Sequence, residues 1–137
     1  MKIKLFVLLA TVWSYSLTIE GQNFIGMKKS DVVKEMKKIN PGFDLDESAK
    51  NSTYKYLKFV DKYNEETWLI FLSDDDICTF TKLMSDYSNE RNRRTELDKK
   101  FKKVSNDNWV FSENGENYTV DYKKEEWYFT IIIKKKK

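Results

Sequence analysis

Histidine is absent from this sequence of 137 residues, and cysteine occurs only once, as Cys78. Without histidine the chain cannot build a Ser-His-Asp or Cys-His nucleophilic centre, and the usual zinc sites are excluded with it. A single cysteine cannot form an internal disulfide, so this is not a disulfide-stapled secreted miniprotein. Cys78 stands in an apolar-alternating stretch and is predicted to be buried rather than reactive. We predict no catalytic residue, no metal site and no cofactor.

A long hydrophobic run is also missing. The apolar stretch Leu5–Trp13 is about half of the roughly 20 residues that a membrane-spanning helix needs. Two lysines precede it and small residues follow it, which is the layout of a secretory signal, whereas a buried strand or a membrane anchor is the alternative. We predict a signal peptide over residues 1–16, cleaved after Ser16 or as late as about residue 21. No cysteine stands directly after the apolar run, where a bacterial lipoprotein carries its lipid. We therefore expect a periplasmic or secreted protein without stable membrane insertion.

The chain has no large excess of either charge. Its 25 basic and 22 acidic residues leave a net charge of +3. A dedicated nucleic-acid binder concentrates a large basic excess on one face, so we expect no nucleic-acid partner. Aromatic residues make up 15% of the chain and charged residues 34%, which indicates an aromatic core inside a charged surface. The length suits one domain, predicted over residues 24–134.

Apolar periodicity predicts two helices. The first, Lys28–Ile39, ends at residues 40–42 (NPG), since proline cannot extend a helix and glycine accepts the turn. The second runs from about Asn89 to Val104 with Ser88 as its N-cap. Its apolar stripe is thin, which is typical of a helix that lies on a surface. The residues of that stripe are Leu97, Phe101 and Val104.

Alternating apolar and aromatic residues predict six strands. They are Tyr54–Val60, Thr67–Leu72, Ile77–Met84, Trp109–Ser112, Asn117–Tyr122 and Glu126–Ile133. Thr67–Leu72 is apolar on both faces, as a central strand would be, and Asn114-Gly115 predicts a tight hairpin because both residues tolerate positive φ. The fold class is therefore α+β, with two helices packed on an antiparallel β-meander sheet.

The two halves of the sequence resemble each other. Each reads as a helix followed by three strands, and segment 63–68 (YNEETW) resembles segment 122–127 (YKKEEW). Two tandem αβββ units, 24–86 and 87–134, are therefore an alternative to a domain without repeats.

Segment 25–32 (IGMKKSDV) resembles the opening of bacterial envelope proteins with the β-lactamase-inhibitor-protein-like (BLIP-like) fold. That group includes the small lipoprotein of the outer-membrane barrel-assembly machine, and segment 67–71 (TWLIF) is similar to its T-W-x-Y strand. The match is partial, because Lys28 replaces the helix-capping threonine and the L-G-x-P that usually ends the helix is missing. The overall pattern also resembles uncharacterised exported proteins of Bacteroidetes-type bacteria. The BLIP-like resemblance implies protein binding through an open sheet face and no catalysis.

Aromatic residues on the predicted strands are the leading binding candidates. Two helices with slim apolar stripes cannot cover both faces of a sheet, so some rings are expected to be exposed as anchors for a protein partner. The alternative is that the two halves bury these rings against each other. The residues predicted to bind are Tyr56, Trp68, Trp109 and Trp127.

Two charged clusters suggest other functions. A small exported hydrolase or carbohydrate-binding module could use Asp74–Asp76, although consecutive aspartates lack the spacing of a calcium loop and suit a solvated hairpin tip. The basic residues of segment 91–103 could bind anionic envelope polymers, although acidic residues on the same helix allow pairing. We predict a non-enzymatic exported protein that binds another protein through an aromatic sheet face.

Overall fold

The computed structural model describes residues 23–49 and 51–137. The predicted signal peptide lies outside the described residues. Two helices, α1 (Lys29–Ile39) and α2 (Glu90–Lys100), are present, and a 3₁₀ turn (Tyr87–Asn89) precedes α2. The strands are β1 (Asp44–Leu45), β2 (Tyr56–Asp61), β3 (Glu66–Leu72), β4 (Cys78–Ser85), β5 (Lys102–Ser105), β6 (Asn108–Glu113), β7 (Glu116–Lys124) and β8 (Phe129–Lys135).

All eight described strands form one antiparallel sheet with the order β1-β2-β3-β4-β8-β7-β6-β5. The first four strands form one meander and the last four form another in the reverse direction, and the two join where β4 pairs with β8. This arrangement confirms the predicted α+β class, with two helices and an antiparallel meander. Asn114 and Gly115 turn the β6–β7 hairpin with φ of 51° and 78°, as their tolerance of positive φ predicts.

Each half contains four strands after its helix, one more than predicted. β1 is only two residues long and lies between the first predicted helix and the first predicted strand. β5 occupies the predicted end of the second helix, because α2 stops at Lys100 and Phe101 adopts an extended backbone that carries its ring into the core. All four residues of β5 are exposed, so no apolar alternation marks it as a strand. Ser88 does not cap α2; its backbone N–H instead donates to the Asp86 carboxylate at the start of the 3₁₀ turn.

The similar segments 63–68 and 122–127 do not occupy equivalent places. Trp68 lies within β3, whereas Trp127 lies between β7 and β8. The sheet itself repeats the order of one helix followed by four strands. The tandem units 24–86 and 87–134 stay a prediction.

One face of the sheet, here called the helix face, packs against both helices. Val32 and Met36 of α1 and Leu97 of α2 join a single buried cluster that includes residues from both halves. Trp68 is central to it on the first half, where Phe24 and Phe43 pack edge-on against its ring at 5.7 and 5.8 Å. A single core therefore extends under both helices.

A buried ion pair joins the two halves. Arg93 of α2 donates two hydrogen bonds, of 2.9 and 2.7 Å, to the carboxylate of Glu66 on β3. Ser85 of β4 donates a third to the same carboxylate at 2.9 Å. Burial disfavours the charge of Arg93, but the hydrogen bonds and charge of Glu66 outweigh it and raise the pKa of the guanidinium. The second helix is thus tied to the first half of the sheet.

Candidate functional site

The structure buries two of the four predicted binding residues. Trp68 is 3% exposed and Trp109 is 0% exposed, and both side chains belong to the helix face. The indole N–H of Trp109 donates to Asp98 of α2 at 2.9 Å. Because both helices pack on the same face, their narrow stripes together cover its largest rings. These two tryptophans are therefore core residues and are not available to touch a partner, contrary to the prediction from sequence.

The other two predicted residues, Tyr56 and Trp127, are accessible but lie far apart. Tyr56 is partly exposed in β2, in a row that crosses the sheet through Phe71 and Phe80. Trp127 is 78% exposed in the turn that precedes Phe129, which pairs with Ser85 at the other end of β4. The distance along β4 between these two rows is about 17 Å at the usual strand rise. The four predicted residues do not form one site.

The sheet face opposite the helices, here called the open face, carries a different aromatic group. Phe71 and Phe80 stack with ring centroids 4.2 Å apart. Tyr56 flanks Phe71 on the same face at 5.8 Å, and the exposed Tyr54 meets Phe71 edge-on at 6.2 Å. These rings form a short aromatic row at one end of the first half of the sheet.

Aliphatic side chains extend this row into a larger apolar surface. In the described part of the chain, none of its residues belongs to the buried cluster or packs against it. The members, here called the apolar patch, are Tyr56, Val60, Leu69, Phe71, Phe80, Met84 and Ile132. All are partly exposed, as alternation along the strands requires. The doubly apolar sequence of Thr67–Leu72 was the signal for this patch, since a strand that is apolar on both sides needs cover on both sides.

Lysines outnumber acidic residues on the open face. By strand register, the strands of this face carry Lys58, Lys82, Lys102, Lys123 and Lys134 against Asp44 and Asp121. The carboxylates of Asp46 and Glu125 reach Lys58 and Lys123 from the adjoining segments. Lys58 lies 3.6 Å from Asp46, and Lys134 lies 3.8 Å from Asp121. The apolar patch is thus interleaved with positive charge, although the whole chain is nearly balanced.

No protein-family model, curated protein or solved structure matches the chain. The resemblance to BLIP-like envelope proteins therefore stays a hypothesis, and the geometry of the open face carries the functional argument.

The acidic turn between β3 and β4 is a hairpin tip. Asp74 and Asp75 are exposed, while Asp76 adopts a φ of 61° and pairs with Lys55 at 2.5 Å. The hydrogen bond from Lys55 is the main reason that the pKa of Asp76 is lowered. Among the described residues, no group of three or more acidic or cysteine side chains is placed to hold a metal ion.

The basic segment at α2 is largely neutralised within the protein. Arg94 bonds to Asp107 at 2.8 Å and lies over the Tyr122 ring at 3.8 Å, and Lys100 pairs with Glu96 at 2.7 Å. Arg93 is held in the buried pair with Glu66. Helix α2 therefore does not present a continuous strip of unpaired cations.

None of the helices in the described part of the chain has the length and apolar character of a bilayer-spanning segment.

Cys78 lies at the start of β4 in the core. Its side chain is 1% exposed, which confirms the burial predicted from its apolar surroundings. Burial raises the pKa of the thiol to about 12. Since the thiolate is the reactive form, the folded protein keeps this cysteine inert at neutral pH.

Proposed function

We propose that this protein is a non-enzymatic exported binding protein that engages another protein through the open face of its sheet. The observation that carries the proposal is the apolar patch of β2, β3, β4 and β8, which no described helix covers. Exposed apolar side chains that gather on one surface commonly mark an interaction site. Export follows from the predicted signal peptide, and the BLIP-like resemblance implies the same use of an open sheet face.

The composition of the patch suits protein recognition. Aromatic anchors held by a rigid scaffold lose little conformational entropy on binding and dominate interface energetics. Tyr56, Phe71 and Phe80 stand on three neighbouring strands whose opposite face is locked into the core. The patch is therefore a preorganised surface.

The test is an affinity capture with three forms of the protein as bait. The wild type is compared with a patch variant, Phe71→Asn/Ile132→Asn, and with a control variant, Val110→Thr/Thr119→Ser, altered on the open face of the second half. We expect one protein to be retained by the wild type and the control and lost from the patch variant. Thermal unfolding verifies that all three baits are folded.

Retention of the same protein by the patch variant would contradict the proposal. If the double variant does not fold, the single Ile132→Asn change gives the same comparison with a smaller loss of apolar surface. A protein that is retained equally by all three baits binds elsewhere on the surface.

A second candidate, carbohydrate binding, is favoured by one depression of about 540 Å³ at the end of the aromatic row. Tyr54, Phe71 and Phe80 supply ring surface there, and Asp74 and Thr79 supply polar groups. Aromatic faces with nearby hydrogen-bonding groups can hold a sugar ring. A glycan array separates the two candidates, because Asp74→Asn should abolish glycan binding and leave protein capture unchanged.

A further inference from the structure

Lys82 occupies the middle of the apolar patch. It faces Leu69 on β3 and Ile132 on β8 in direct register, and Phe80 and Met84 flank it along β4 on the same face. Its side chain is partly buried, and it forms no hydrogen bond or ion pair with another described residue. A positive charge therefore stands within the surface that is best suited to be covered.

The other lysines of the open face differ from Lys82 in this respect. Carboxylates lie within 4 Å of three of them: Lys58 near Asp46, Lys123 near Glu125 at 3.5 Å, and Lys134 near Asp121. The fourth, Lys102, is exposed on the edge strand β5. Lys82 is thus the central lysine of this face whose counter-charge is missing from the described part of the chain.

Covering the patch would remove water from the ammonium group of Lys82. Burial of an unpaired charge is strongly unfavourable, whereas a well-placed opposite charge offsets most of that cost. A purely apolar occupant is therefore disfavoured. A second copy of the chain is disfavoured too, because its own apolar patch would present another Lys82 and no carboxylate.

We infer that the partner is a protein with an acidic surface that seats a carboxylate against Lys82 and apolar side chains against the rest of the patch. This inference rests on the proposed function and names the chemistry of the partner. The lysines at the rim of the patch would steer such a surface towards the open face, so association is expected to slow as salt rises.

A selection from phage-displayed random 12-residue peptides on the immobilised protein tests the inference without a known partner. Peptides that bind the open face should be enriched in Asp or Glu next to Phe, Leu, Trp or Tyr. Their affinity is then measured for the wild type, Lys82→Glu and Lys102→Glu. The last variant is the matched control, with the same charge change on the same face but at the sheet edge.

We expect Lys82→Glu to weaken the selected peptides by at least roughly 10-fold, as expected when one member of a buried charge pair is reversed, and Lys102→Glu by no more than about 2-fold. Lys82→Met, which keeps the aliphatic stem, should weaken them less than the reversal. Selected peptides without an acidic excess, or peptides that bind Lys82→Glu as well as the wild type, would overturn the inference.

The Phe71→Asn/Ile132→Asn variant distinguishes a failure of the proposed function from a failure of the inference about the acidic partner. Peptides that lose affinity for this variant but ignore Lys82→Glu support the open face as a site and refute the acidic partner. Peptides that ignore both variants refute the proposed function itself. If the wild type sediments as a dimer and Lys82→Glu dissociates it, the occupant of the patch is a second copy. If the protein binds heparin through Lys82, the occupant is a polyanion. Either result would overturn the inference.

Discussion

The two halves of the sheet are alike on the helix face and unlike on the open face. On the helix face, each half buries one tryptophan, Trp68 or Trp109, beneath the same pair of helices. On the open face, the first half carries Leu69 and Phe71 where the second carries polar residues such as Asp121 and Thr119. The covered side has to be apolar in both halves because it forms one core. The open face is free to differ, and its apolar residues are concentrated on the first half, with Ile132 at the border.

This difference between the two open faces is the reason for placing the proposed binding site on the first half. Apolar residues on the packed face are explained by their contribution to stability. Apolar residues on a face without such packing lower solubility, so their presence there calls for another explanation, such as binding. On the second half, the polar open face behaves as an ordinary solvated surface. The first half is therefore the region where variants should separate binding from stability.

Truncation of the buried tryptophans should have the largest effect on stability and should be similar in both halves. We expect Trp68→Ala and Trp109→Ala each to lower the free energy of unfolding by about 3–5 kcal/mol, since each leaves a large cavity. Urea unfolding measures the loss. A large loss in only one of the two variants would contradict the similarity of the two halves on the helix face.

The Trp→Phe changes should affect the two tryptophans differently. The indole N–H of Trp109 bonds to Asp98, whereas that of Trp68 has no partner among the described residues. Trp109→Phe should therefore cost about 1 kcal/mol more than Trp68→Phe, the usual contribution of one hydrogen bond. Equal costs would show that the bond to Asp98 adds nothing.

The ion pair between the halves should give the next largest effect. Arg93→Met leaves the buried carboxylate of Glu66 with the Ser85 hydroxyl but without its positive partner, and it also removes the ion pair with Glu96. We expect a loss of about 3 kcal/mol. The double variant Glu66→Met/Arg93→Met should recover most of it, because no charge is then buried. Urea unfolding gives the free energies of the wild type, both single variants and the double variant, which together form a double-mutant cycle. A double variant as unstable as Arg93→Met would show that the pair acts through packing alone.

A pH effect should appear in the first half, through Cys78. Its thiol has a pKa raised from 9.0 to about 12 by burial. Below pH 9 the thiol is protonated in both states, but between pH 9 and pH 12 only the unfolded chain loses this proton, so stability falls as pH rises. From pH 9 to pH 10 the wild type should lose about 1 kcal/mol more than Cys78→Ala. Urea unfolding at each pH checks this, and parallel profiles of the two proteins would contradict it.

Changes on the open face should have the smallest effect on stability. We expect Leu69→Thr and Val110→Thr each to change the free energy of unfolding by no more than about 1 kcal/mol, because both side chains are partly exposed. Only Leu69→Thr should weaken the capture of a partner. Thermal unfolding and affinity capture on the same samples give both readouts, and a loss of capture in Val110→Thr would extend the site into the second half.

Local patterns predicted the elements whose own residues carry a signal. The start and end of α1 agree to within one residue with the prediction from Val32, Met36 and the Asn-Pro-Gly stop. β3 and β4 also lie close to their predicted bounds. β5 was missed because its four residues are all exposed, and a strand without alternation is defined only by the neighbour to which it bonds.

The binding residues were harder to predict because period-2 alternation shows that a strand has two faces without showing which one the helices cover. Trp68 and Phe71 stand three residues apart on one strand, yet the first lies in the core and the second on the open face. Three of the four predicted anchors are tryptophans, and the helices cover two of them, Trp68 and Trp109, whereas Trp127 is exposed.

The sequence alone determined the α+β class, the bounds of most elements, the tight turn at Asn114-Gly115 and the burial of Cys78. Each depends on local periodicity, turn chemistry or composition, which act over a few residues. The tertiary structure was needed to show that β4 pairs with β8, that both helices pack on one face, and that Lys82 lies within the apolar patch without a counter-charge among the described residues. These features depend on contacts between residues far apart in the chain, and such contacts leave no periodic trace in the sequence.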